Sequence, residues 1–416
     1  MASAEPPWSG ARVLVGYWNR RENMVERTQH GEIELVAFGN ETKEERKLLK
    51  RFVDFHWRLY AGDDKYVPLL DYEYLGFKLI GLTGFFEPRN LFFKHAEMRW
   101  FMALKEGQVV GRCNAFVNHR HNEHWKDKVG FFGQFECIED DAVAGLLLQA
   151  AEGYLKSLGM NTVRGPQNLP VNDATPGFLS KGFDSRPVMY YHYNKPYYPS
   201  MVERLGFEGV KRVLSWEVEP ARPMEEKLVR VGEKVIERYG VTIEDWGDRP
   251  LDVRKQEMLK IYNAAWNNNY GFVPFTQEEF NQIIDDMMLI MDRKLFIFLY
   301  VKGEPAAFFG GVPNVTEFLG RIGRLRHVEL VRALRMILFA KKAKGFRLGY
   351  LGVDPKFRRL GLDGVMLWKQ KNYTRTRYDY CDMGWVLEDN VMTIRLIEMM
   401  TAVPSKTYTV YEKPIG

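Results

Sequence analysis

Residues 351–367 read Leu-Gly-Val-Asp-Pro-Lys-Phe-Arg-Arg-Leu-Gly-Leu-Asp-Gly-Val-Met-Leu. An apolar run closes at Val353, and Pro355 stops it. A basic, glycine-bearing turn (Arg358, Arg359, Leu360, Gly361) then opens a helix with apolar positions at Leu362, Val365, Met366 and Trp368. The start of a helix offers unpaired backbone N–H groups and the positive end of its dipole. A glycine lets a ligand approach that backbone closely, so strand, turn and helix suit a phosphate or pyrophosphate. The plain alternative is an ordinary strand-turn-helix with a solvated arginine pair.

Outward from this stretch the chain reads as duplicated. Lys105-Glu-Gly107 through Asn118 aligns with Val301-Lys-Gly303 through Asn314, each a strand, glycine turn and strand. Tyr66-Val67-Pro68 faces Phe272-Val273-Pro274, and Asn194 to Glu203 resembles Asn390 to Glu398. Each half ends in a Lys, aromatic-Glu and Pro pattern (Lys211, Trp216-Glu217, Pro220; Lys406, Tyr411-Glu412, Pro414). The order is preserved throughout, so two tandem units are expected, 1–219 and 220–416, meeting at the Pro220–Pro223 linker. Each half reads as a strand, amphipathic helices, a hairpin, then alternating strands and helices. This pattern predicts an α/β (α+β) mixed sheet flanked by helices.

The 351–367 stretch resembles motif A of the GNAT acyltransferase superfamily, with Pro355, Arg358 and Gly361 at the family's positions. Asp363 stands where the family usually has Gly or Ala, with Gly364 following. Trp385 to Asn390, the helix after it and Lys406 to Glu412 resemble the family's fifth strand, fourth helix and last strand. With the duplication included, the sequence is similar to tandem GNAT proteins over nearly its whole length. The resemblance implies a sheet splayed between its fourth and fifth strands, with acetyl-CoA or another acyl-CoA entering the splay. It makes Val353, Arg358, Arg359, Leu360, Gly361, Leu362, Asp363 and Gly364 the cofactor-binding candidates. It implies direct attack of an amine on the thioester in a ternary complex, the backbone near Val353 polarising the carbonyl. The family's helix-four Tyr, seven residues after the Asn, is here Ile397. Glu388 and Asp382 are then candidate bases, Asn390 an orienting group and Tyr408 a substitute acid. Asn267, Asn269 and Tyr270 occupy the loop that covers the acceptor in the family, with a plain turn as the alternative.

The matching turn of the first half, Cys137-Ile-Glu139-Asp140-Asp141 to Gly145, has no basic residue and would repel a pyrophosphate. The acyl-CoA site is therefore expected only in the second half. The first-half aromatics and asparagines (Asn168, Asn172, Tyr190, Tyr191, Tyr193, Asn194, Tyr197, Tyr198) either line a pocket or pack the core. Two rival functions stay open. One is a non-catalytic acyl-CoA or metabolite binder, favoured by Asp363, Ile397 and the acidic turn. The other is a FemABX-like aminoacyl-tRNA-dependent transferase.

Composition bounds the remaining options. The 416 residues are 46% hydrophobic and 27% charged, as in globular proteins, and the net charge of +5 is weak for a nucleic-acid binder. Three cysteines argue against a disulfide framework and for a reducing compartment. No apolar stretch approaches the roughly 18 residues of a membrane span, and the N-terminus lacks a signal pattern. The expectation is a cytoplasmic protein, monomer or homodimer, with a small-molecule or peptide amine as partner and no membrane or nucleic acid. Residues 320–349 carry nine Arg or Lys and one acid, Glu329. They either hold an anionic ligand, with nucleic acid as a third option, or form a solvated helix face backed by packed Leu330, Leu334, Ile337 and Leu338. His119, His121 and His124 read as a polar loop between strands, with no metal expected.

Overall fold

A computed structural model describes residues 25–77, 82–224, 226–319 and 328–416. Arg321, Arg324 and Arg326 of the basic run, and the first 24 residues, lie outside them. The first half contains β1 (Glu26–His30), β2 (Ile33–Phe38), α1 (Lys43–Leu59), α2 (Asp71–Leu75), β3 (Ala96–Lys105) and β4 (Gln108–Asn118). It continues with α3 (His119–Trp125), β5 (Val129–Cys137), α4 (Asp141–Ser157), β6 (Thr162–Gly165), β7 (Phe178–Lys181), α5 (Tyr198–Arg204) and β8 (Glu208–Val218). The second half contains α6 (Glu226–Tyr239), β9 (Val241–Asp245), α7 (Leu251–Trp266), α8 (Gln277–Met287), β10 (Phe296–Val301) and β11 (Glu304–Pro313). It ends with α9 (Glu329–Phe339), β12 (Gly345–Val353), α10 (Leu362–Arg377), β13 (Tyr380–Leu387), α11 (Val391–Met399) and β14 (Val403–Pro414).

Local chemistry explains the main boundaries. Thr42 and Glu45 form a capping box at α1, and Thr276 and Glu279 form one at α8. Gly361 starts α10 in the left-handed region (φ +81°), which a glycine adopts without strain. The hairpins turn at Gly107 and Gly303, as the sequence indicated.

The described strands form one mixed sheet in the order β1-β2-β3-β4-β5-β6-β14-β8-β13-β12-β11-β10-β9, with β7 also on β14. Its centre is an exchange of final strands. β14, from the second half, pairs antiparallel with β6 of the first. β8, from the first half, pairs antiparallel with β13 of the second. β8 and β14 pair with each other from Val403↔Glu217 to Glu412↔Glu208. Helices cover both faces over three large apolar clusters, one in the second half and two in the first.

Two expectations are corrected here. His119 to Trp125 is a helix, not a loop, because the Asn118 side chain caps it by accepting the His121 N–H. The α9 leucines do not pack inward. Leu330, Leu334 and Leu338 are exposed, and the buried side holds Arg332 and Ala333.

Candidate functional site

The parallel pairing of β12 with β13 stops early. Gly345 to Leu348 face Tyr380 to Met383. Beyond that point β12 stays with β11 out to Val353, and β13 stays with β8 out to Leu387. The strands part, and an open cleft lies between them. Its walls are β12 from Arg347 to Leu351, β13 from Met383 to Leu387, the inner side of α11, Trp266, Asn269 to Phe272, and first-half residues between Arg164 and Tyr190. The lining is largely apolar and aromatic, with a few convergent polar groups, as ligand clefts usually are.

The polar groups cluster at the floor. Asp173 is buried, and its carboxylate accepts a hydrogen bond from the Tyr350 hydroxyl at 2.8 Å. Burial pushes this carboxyl above the usual carboxylate range; the Tyr350 hydrogen bond and the Arg347 charge pull it partly back. Arg347, buried on β12, donates Nε–H to the Gly384 carbonyl at 3.0 Å and Nη1–H to the Met189 carbonyl at 3.1 Å. A longer bond, 3.4 Å, reaches the Asp173 carbonyl, and the Trp385 indole N–H reaches the same oxygen at 3.4 Å. Arg347 thus ties both splayed strands to the first-half loop that presents Asp173.

The residues singled out from sequence distribute unevenly. Asn390 lines the cleft and caps α11, accepting the Thr393 N–H. Asn269 and Tyr270 line it too; the Tyr270 hydroxyl donates to Glu412 at 2.9 Å, with Arg164 over its ring. Asn267 does not line it, and its carbonyl meets the His124 ring. Glu388 accepts both the backbone and side-chain N–H of Arg212. Burial would raise its carboxyl, but those bonds win and hold it below the usual range. Asp382 lies behind the cleft, in a second cavity with Lys406 and Glu217, and accepts the Tyr191 hydroxyl at 2.6 Å. Burial raises it to about 6. Tyr408 is fully buried and donates to the His192 carbonyl.

The turn from Asp354 to Gly361 sits beside the cleft without lining it. The lining stops at Leu351, two residues short of Val353. Arg358 is exposed and donates to the Ala265 carbonyl at 2.7 Å, next to cleft residue Trp266. Arg359 is exposed, Leu360 is half-buried against the core and Leu362 is buried. Asp363 accepts the Gly364 N–H at 3.0 Å. In the first-half turn, Asp140 caps α4 and pairs with Lys105, while Asp141 pairs with Arg204. The α3 histidines diverge: His119 meets Glu97, His124 meets Asn267, and His121 is buried against Phe131.

Asp173 and Tyr350 were not singled out from sequence. Their positions differ by 177 residues, and Asp173 sits in the unpatterned run Pro170-Val-Asn-Asp-Ala-Thr-Pro176. A lone carboxylate among Pro and Asn between two strands was the only signal.

No family model matches the chain. Two curated proteins resemble it over most of its length. Protein YghO of Escherichia coli (strain K12) is 29% identical over 376 residues, 88% of this chain and 93% of its own length. A bacterial ceramide synthase of Caulobacter vibrioides (strain NA1000 / CB15N) is 29% identical over 379 residues, 88% of this chain and 95% of its own. Among solved structures, a tandem GNAT protein from the clavulanic acid biosynthesis pathway superposes with a TM-score of 0.52 at 10% identity, covering 92% of this chain and 99% of that one. The GCN5-related glucosamine N-acetyltransferase region of a fungal multi-domain β-N-acetylglucosaminidase gives 0.51 at 12% identity, covering 91% of this chain and 38% of that one. The splayed mixed sheet and these superpositions agree: the chain has the tandem GNAT fold.

Proposed function

We propose that the protein is an acyl-CoA-dependent N-acyltransferase. Residues 1–219 and 220–416 are its tandem units, and the second holds the acyl-CoA. The observation that carries this reading is the cleft at the β12–β13 splay with a buried carboxylate, Asp173, on its floor. In this fold the acyl-CoA thioester enters such a splay. The turn at Arg358–Gly364 then offers its helix start to the pyrophosphate. The amine nitrogen attacks the thioester carbonyl carbon, the C–N bond forms and the C–S bond breaks. The ammonium nitrogen gives up two protons overall. Asp173 takes one and passes it to solvent, and the other ends on the departing sulfur. A carboxyl raised by burial is better matched to this task than an ordinary one. Asn390 and Tyr270 face the same space and position the acceptor.

The curated relative named a ceramide synthase favours a specific form of the reaction. A ceramide is the amide of a fatty acid with a long-chain amino alcohol. The aromatic and aliphatic walls of the cleft, among them Phe131, Met189, Phe272, Trp385 and Leu396, suit a hydrocarbon chain. The acceptor class we assign is therefore a long-chain amine, and the donor a fatty acyl-CoA. The test incubates the pure protein with acetyl- and palmitoyl-CoA and a panel of amines that includes sphinganine. Free thiol is followed by absorbance and the amide by mass spectrometry. Amide formation from palmitoyl-CoA and the long-chain amine is the expected result. Binding of coenzyme A without turnover on any amine would favour the non-catalytic binder.

A further inference from the structure

Helix α9 is amphipathic in the wrong sense for a helix on a water-facing surface. Its inner side carries an ion pair: Arg332, fully buried, meets Glu329 and donates to the Pro68 carbonyl at 2.8 Å. Its outer side carries the leucines. Leu330, Val331, Leu334 and Leu338 are 46%, 42%, 47% and 70% exposed. They form one apolar arc, roughly 100° wide at about 100° per residue, and Ile337 at its edge packs against the second-half core. The charged side chain at its border is Arg335. Lys341, Lys342 and Lys344 follow directly, all exposed.

We propose that α9 is an in-plane docking helix for an anionic lipid surface. The Leu330–Val331–Leu334–Leu338 arc enters the acyl boundary, and Arg335, Lys341, Lys342 and Lys344 meet the headgroup charge. The described residues contain no helix long and apolar enough to cross a membrane. An interfacial helix needs only a one-sided apolar arc with flanking cations, and spanning length does not enter. Charge selects the occupant. The cations at and beyond the C-terminal end of the arc complement an anionic lipid surface. The inner ion pair serves this role too, because it fixes α9 to the first half and keeps the arc outward. The inference stands on the surface alone and goes beyond the acyl-transfer reading.

Co-sedimentation of the full chain with phosphatidylcholine vesicles, with and without 30% phosphatidylglycerol (about, by mole), tests it. The chain should bind the anionic vesicles and release at high salt. Leu334→Glu with Leu338→Glu should weaken binding by about 100-fold or more, since each removes a buried leucine and adds a charge. Replacing Lys341, Lys342 and Lys344 by Gln should cost about five-fold per lysine on anionic vesicles and little on neutral ones. Circular dichroism and sedimentation velocity on each variant report fold and oligomeric state. No binding by the wild-type chain overturns the proposal. So does binding that the folded double-Glu variant retains, or a dimer that this variant dissociates while vesicle binding stays unchanged. Vesicle binding is read without turnover, so its failure leaves the acyl-transfer reading untouched.

Discussion

Asp173→Asn separates chemistry from architecture at the cleft floor. The amide keeps the side-chain volume and an oxygen that can accept the Tyr350 hydroxyl, now 2.8 Å from the carboxylate. The fold should persist. Burial raises the Asp173 carboxyl, so its ionised form costs native stability, and that cost is present at neutral pH and absent in acid. Replacing it with a neutral group should therefore leave stability equal or slightly higher at pH 7. Activity should respond in the opposite direction. A general base contributes about 10²- to 10⁴-fold, or about 3–5 kcal/mol of barrier. A loss of that size in kcat/KM for palmitoyl-CoA and a long-chain amine is expected, with coenzyme A affinity unchanged. Tyr350→Phe provides the internal check. It removes a hydrogen bond to the charged carboxylate, about 1.5–3 kcal/mol. The acid limb of the pH–rate profile should move upward, and the rate on that limb should fall about ten- to a hundred-fold. A folded Asp173→Asn enzyme within about three-fold of wild type would refute the assignment, and so would an unmoved limb in Tyr350→Phe.

Three further outcomes follow from the same geometry. Arg358→Ala should weaken coenzyme A binding by about 1–3 kcal/mol by calorimetric titration, the range for a charge-assisted bond, while Asp363→Gly should hold or raise affinity because it removes a carboxylate beside the pyrophosphate. Asp382, raised by burial to about 6, costs stability above that pH and none below its unfolded value; Asp382→Asn should therefore gain about 1–2 kcal/mol at pH 8 and nothing at pH 4 by urea unfolding. His56 and His121 are buried and lowered by that burial to about 4 and about 3, so each is neutral to stability well above pH 6.5 and costs roughly 2 kcal/mol on going from pH 7 to pH 5; His56→Gln should flatten that decline in the same assay.

Local chemistry was legible in the sequence, and long-range placement was not. Both glycine hairpins and the start of α10 at Gly361 follow from turn residues and periodicity, which act within a few positions. The exchange of β8 and β14 left no mark, because either strand carries the same alternation whichever partner it meets. The face of α9 was misread for a related reason. Its leucines have helical spacing, but spacing cannot tell the core from an outer interface. Of the four candidate catalytic side chains, Asn390 alone lines the cleft. Glu388 and Asp382 were chosen by nearness to the fifth strand, and their partners, Arg212 and Tyr191, come from the other half.

The two halves also brace each other at matching places. Tyr66-Val67-Pro68 and Phe272-Val273-Pro274 are held by equivalent arginines, each from the opposite half. Arg332 of α9 donates to the Pro68 carbonyl, and Arg120 of α3 donates to the Pro274 carbonyl. Each arginine also has an acid partner, Glu329 and Glu279 respectively. Glu279 receives the Thr276 N–H and meets His95 at 2.6 Å as well. Burial works against its charge, but the His95, Thr276 and Arg120 hydrogen bonds prevail and hold it down at about 2. The loop they secure runs on into Gly271 and Phe272, which wall the cleft. One wall of the second-half cleft is therefore set by first-half residues, and Asp173 on its floor is a first-half residue too. The first half, whose own turn at Asp140 and Asp141 is acidic, thus supplies both a carboxylate and a wall to the cleft, and the continuous sheet holds the two halves in the register this needs.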